Sequence, residues 1–77
     1  MNHRPLNEIA REINEDWKRP YFAAVPYLNA LAGMHCISDR FGYDDARGIV
    51  LYFLSNAGSW RGPVAKRIKA ELKAALK

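Results

Sequence analysis

Apolar residues recur at three- and four-residue steps along most of the chain, and four segments carry that helical period. In the first, residues 5–17, Leu6, Ile9, Ala10, Ile13 and Trp17 form one stripe, while Asn7, Arg11, Asn14 and Glu15 fall off it. Pro5 suits a first helical turn, where its missing N–H costs nothing. Pro20 ends the segment, because the residue before a proline avoids the α region.

The second segment, residues 21–34, places Tyr21, Ala24, Val25, Leu28, Leu31 and Ala32 on one face. Pro26 interrupts it. Inside a helix a proline removes a hydrogen bond and costs about 3 kcal/mol. The helix therefore either starts near Val25 or begins at Tyr21 and bends. The continuous stripe favours the bend, with Gly33 as the exit. Residues 35–43 show no period and predict a loop, with Gly42 free to take a positive φ.

The third segment, residues 45–57, carries Ala46, Ile49, Val50, Phe53, Leu54 and Ala57, with Leu51 and Tyr52 apolar on other faces. A helix apolar on most sides is surrounded by its neighbours, so this one is expected at the centre. Asp44 is the expected N-cap and Gly58 the expected C-terminal glycine. Residues 48–54 also suit a strand, but no other stretch alternates with period two to pair with it. The fourth segment, residues 60–76, has Ser59 as expected cap, Pro63 in its first turn, and Val64, Ala65, Ile68, Leu72, Ala75 and Leu76 as its stripe. The pattern predicts an all-α chain, a compact four-helix bundle-like single domain.

The length agrees, since 77 residues make one domain with little stability to spare. The longest apolar runs fall well short of the roughly 20 residues a spanning helix needs, and no apolar leader follows the N-terminus, so no membrane partner is expected. The single cysteine, Cys36, excludes an internal disulfide and suits a reducing, cytoplasmic setting.

Charge changes the picture more. The net charge is +4, yet residues 1–45 carry seven acidic and five basic groups, whereas residues 46–77 carry seven basic groups against Glu71 alone. An anionic partner would meet the C-terminal end. There Lys66, Lys69, Lys73 and Lys77 share one helix face, with Arg61 and Arg67 nearby. Such a ridge suits phosphate contacts. It equally suits a solvated terminal face, whose lysines complement the helix dipole. No aromatic residue interleaves the lysines and no base-reading pattern accompanies them, so any nucleic-acid binding would be independent of sequence. The gap between the second and third helices is too long for a helix-turn-helix.

Loops carry partner contacts disproportionately, and aromatic and arginine side chains anchor interfaces. Arg40, Phe41 and Tyr43 in the loop, and Arg61 after Trp60, are the candidate protein-binding residues, together with the acidic face of the first helix at Glu8, Glu12 and Glu15. Phe41 and Tyr43 have an alternative role, tucked under the loop to finish the core, and Trp60 is expected to close the end of the bundle.

Catalytic equipment is not legible. His35 and Cys36 are sequence neighbours, which rarely face each other as a nucleophile–base pair, and His3 sits near the chain end. Asp39, Asp44 and Asp45 lack the alternating spacing of a calcium loop. One cysteine and two distant histidines do not make a zinc site, and no glycine-rich phosphate loop is present. No enzyme activity and no cofactor are expected.

Two stretches resemble a known group. Asp16, Trp17 and Lys18 with Pro26, Tyr27 and Leu28, and then residues 49–57 with Trp60, Arg61, Gly62, Ile68 and Lys69, are similar to short hypothetical proteins of bacteriophages and prophages, especially of actinobacterial hosts. The resemblance spans most of the chain. It implies a phage or mobile-element origin and carries over no functional residue. Small phage proteins of this kind often bind a host or phage macromolecule. The expectation is thus a binding module in the host cytoplasm, acting on a host or phage protein or on a second copy of itself, with nucleic acid as the alternative.

Overall fold

The computed structural model describes residues 4–38, 40–41 and 44–77. His3, Asp39, Gly42 and Tyr43, each weighed above, lie outside the described residues. Four α-helices are present among the described residues: α1 (Leu6–Asp16), α2 (Val25–Ala32), α3 (Ala46–Ser55) and α4 (Pro63–Ala75). The all-α class holds.

Helix α1 buries Leu6, Ile9, Ala10 and Ile13, with Trp17 just beyond its end, as its period requires. A helix start leaves its first amides without intrahelical partners. Here the backbone of the chain after α2 supplies them: Leu6 N–H donates to His35 O at 2.7 Å and Asn7 N–H to Met34 O at 2.8 Å. The start of α1 is therefore stitched to the end of α2.

Helix α2 starts at Val25 and does not bend at Pro26. A single 3-10 turn, Phe22–Ala24, leads into it. Pro26 thus occupies the first turn, where a helix has no use for the missing N–H. The change of geometry breaks the predicted stripe. Ala24, Leu28, Ala30 and Leu31 are buried, whereas Tyr21, Val25 and Ala32 are exposed.

Between α2 and α3 the backbone forms a two-residue antiparallel ladder, β1 (Arg40–Phe41) with β2 (Asp44–Asp45), in register Arg40 to Asp45 and Phe41 to Asp44. This ladder moves the N-cap of α3 from Asp44 to Asp45. Both residues of β2 are paired, and Asp45 is the one that adjoins the helix. Asp45 leaves the ladder extended, as a cap must, and its Oδ1 accepts from Gly48 N–H at 2.8 Å. Helix α3 is less central than its composition suggests. Ala46, Ile49, Val50 and Phe53 complete its buried face, and Leu51 and Tyr52 are about half exposed. It ends at Ser55, three residues short of Gly58, whose φ is not positive.

Helix α4 begins at Pro63, not Trp60, and Ser59 is not its cap. Trp60 N–H instead closes a turn onto Ala57 O, which sends the indole into the core. Gly62 then takes φ 114°, a conformation that other residues rarely adopt, and Lys66 N–H bonds its carbonyl to open the helix. α1 packs on α2, α2 on α3, and α4 closes against α1. Phe53, Ile9, Ile13, Leu28, Leu31, Ile68 and Leu72 lie fully buried where these helices meet.

Candidate interaction surfaces

At the base of the core three aromatic rings lock together. Trp17 and Trp60 stack with centroids 5.7 Å apart, and Phe53 meets both edge-on at 6.2 and 6.4 Å. Trp60 Nε1 donates to Asp16 Oδ2 at 2.7 Å, so the buried indole keeps a polar partner. Trp60 closes the bundle as its sequence context suggested.

That arrangement changes the lysine ridge. Lys69 turns away from solvent and donates to Ala57 O and Trp60 O, each at 2.7 Å, with its ammonium 5.9 Å from the Trp60 ring centroid. Burial, and then the charges of Lys73 and Arg61, push its pKa below the usual lysine value. Lys69 thus ties the α3–α4 connection to α4. Lys66, Lys73 and Lys77 remain exposed on the ridge, and Arg61 is exposed at its N-terminal end. Trp60, Arg61, Lys66 and Lys69 line one open groove of about 470 Å³ there.

The neighbouring cations are engaged elsewhere. Arg47 donates to Leu76 O at the far end of α4. Arg4 grips Glu71 through two parallel bonds of 2.7 Å and sits 2.9 Å from Glu12, which also binds Arg67. This four-residue network seals α1 to α4. The hydrogen bond from Arg67, reinforced by Arg4, holds Glu12 below the usual carboxylate range, and the Arg4 bonds do the same for Glu71. The paired carboxylates in turn raise the Arg4 pKa, Glu71 most strongly. Glu12 therefore belongs to an interhelical seam and not to an acidic outer face. Glu8 and Glu15 share the open α1 groove of about 690 Å³ with Arg11 and Lys18, so that face is mixed in sign.

Arg40 and Phe41 contribute one side of the ladder through their backbone. Exposed aromatic residues lie elsewhere: Tyr21, which the sequence placed on a buried stripe, Phe22, which it left unassigned, and Tyr52, which it placed on a surrounded central helix. Among the described residues the exposed large apolar side chains are Tyr21, Phe22, Val25, Leu51 and Tyr52. Phe22 is 78% exposed. The rings of Tyr21 and Phe22 meet at 4.9 Å, and Tyr21 lines a shallow groove with Ser55 and Asn56 at the end of α3. One turn back on α3 lie Leu51 and Tyr52, and Tyr52 stacks on Tyr27 of α2 at 5.4 Å. Tyr21, with Phe22 against it, thus meets the C-terminal end of α3 one turn from Leu51 and Tyr52. The signal was present in α3, whose four-residue buried face is complete without Leu51 and Tyr52. For Tyr21 and Val25 it was hidden by the assumption of one continuous helix.

Among the described residues no group of three His, Cys, Asp or Glu could hold a metal ion, and no helix is long and apolar enough to cross a membrane. Comparison with protein-family models, curated proteins and solved structures finds no match to this chain.

Proposed function

We propose that this chain is a small, non-enzymatic, phage-type helical module that works in the host cytoplasm by binding protein through the surface formed by Tyr21, Phe22, Val25, Leu51 and Tyr52. One observation carries the reading: these large apolar side chains gather on adjoining elements. Scattered apolar residues on a surface need no explanation, whereas apolar residues gathered beside one groove are where a partner would dock. Removing the Phe22 side chain from water is worth on the order of 2 kcal/mol, and aromatic residues are the usual anchors of interfaces. The lone cysteine supports the reducing compartment.

Nucleic-acid binding is the second reading, supported by the exposed line of Lys66, Lys73 and Lys77 with Arg61 at its end. Lys69 spends its donors on carbonyls and Arg67 on Glu12, which shortens the ridge. Three available lysines would give a salt slope of only about −3 on duplex DNA.

Site-specific photocrosslinking separates the readings. Phe22→p-benzoylphenylalanine should crosslink to polypeptide in expressing cells, and Lys73→p-benzoylphenylalanine should not. Absence of any polypeptide adduct from position 22, with salt-sensitive DNA or RNA binding abolished by Lys66→Glu with Lys73→Glu, would replace protein by nucleic acid as the partner. Lys69→Glu is unsuited to that test because it would also break the Ala57 and Trp60 bonds.

A further inference from the structure

We infer that the occupant of this apolar surface is a second copy of the same chain, related by a two-fold axis through the patch. The inference rests on the protein-docking reading above and names its partner.

Area is the first argument. Taking about 200 Å² for a whole aromatic side chain, the five exposed residues present roughly 500 Å² of apolar surface. A standard interface buries about 800 Å² on each partner, and homodimer interfaces are about 65% apolar. The patch supplies that apolar share. Exposed Ser55, Gly58 and Ser59 and half-buried Asn56, beside Tyr21, provide the polar rim.

Charge is the second argument. In a two-fold interface each residue meets the same set of residues on its mate, so a charge near the axis faces its own like. Tyr21, Phe22, Val25, Leu51, Tyr52 and Ser55 carry none at neutral pH. Arg47, one turn before Leu51, has its guanidinium bonded to Leu76 O. These six residues offer a partner chosen by charge nothing to read, and two copies with a net charge of +4 each can bring them together without a like-charge clash among them, with exposed Arg19 two residues before Tyr21 in the chain. Their long-range repulsion is screened by salt. Self-association should therefore strengthen or hold as salt rises, opposite to phosphate binding.

Sedimentation equilibrium of the full chain, from low micromolar to near-millimolar concentration and at low and high salt, tests this. The expected result is a mass that climbs from 8.8 kDa toward twice that value. Phe22→Ser and Leu51→Lys should each weaken the association about tenfold or more, while Lys66→Ala leaves it unchanged. Circular dichroism on dilute samples reports whether each variant is folded. Phe22 is exposed enough to change without cost to the core, and Leu51→Lys gives an independent reading. A mass that stays at 8.8 kDa throughout overturns the second copy as occupant. If position 22 then still crosslinks to another polypeptide, the docking surface stands without self-association; if it does not, both fall. Association that both variants leave intact overturns the patch as the dimer interface.

Discussion

At the scale of single residues, Lys69 shows how position on a helical wheel and role in the molecule part company. Its spacing places it with Lys66, Lys73 and Lys77, yet its ammonium holds two backbone carbonyls and lies over an indole. Ala57 O keeps the Trp60 N–H, so loss of the ammonium leaves Trp60 O as the carbonyl without that donor, at a cost of about 1–3 kcal/mol. Lys69→Met should therefore lower stability by roughly that amount in urea unfolding, and Lys73→Met should change it by less than about 0.5 kcal/mol. Equal effects of the two variants would return Lys69 to the solvated ridge. The residue was legible as a cation but not as a latch. Its partners are backbone oxygens nine and twelve positions away, and no side-chain pattern encodes them.

At the scale of elements, the helices were legible and their ends less so. The period of α1 and α4 depends only on which residues are apolar, so it survives any shift of a cap. The caps depend on what the chain does just before the helix. Asp45 caps α3 because it is the last residue of the ladder, still extended where the helix begins, and Gly62 opens α4 because Trp60 must turn inward. Asp45→Ala should cost about 1 kcal/mol, and Gly62→Ala about 1–3 kcal/mol for a forced positive φ with extended ψ. Ser59→Ala, at the cap position the sequence suggested, should be neutral within a few tenths of a kcal/mol. Chemical denaturation of the three variants side by side checks this. A costly Ser59→Ala with a harmless Gly62→Ala would move the start of α4 back toward Trp60. Pro26 follows the same logic: a proline is cheap in the first turn and expensive anywhere later, so the helix begins where the ring can be tolerated.

At the scale of the whole molecule, α4 is joined to α1 by apolar packing and by the Arg4, Glu12, Arg67 and Glu71 network. Both carboxyls are held below the ordinary glutamate value, near 4.3. A group with a depressed folded-state pKa adds stability above its unfolded pKa, and that stability is lost as pH falls through the folded one. Thermal midpoints should therefore hold from neutrality to about pH 5 and fall below about pH 4. Glu12→Gln with Glu71→Gln should lower the neutral midpoint and flatten that acid limb. An unchanged acid limb in the double variant would show that the network contributes nothing measurable. Because the four side chains are partly solvent-accessible, added salt should weaken the effect.

The sequence by itself determined the helical class, the number of helices, most of the core, and the uneven charge along the chain. Each of these follows from residue type and spacing, which act within a turn or two of helix. Only the tertiary structure decided that Lys69 is a latch, that Glu12 faces α4, and that Tyr21, Phe22, Val25, Leu51 and Tyr52 stay exposed. The reason is geometric. Tyr21 comes beside Ser55, and Tyr27 beside Tyr52, only because α2 and α3 pack side by side. A helical period tells how many apolar faces each helix has, and only its neighbours settle which of them is covered.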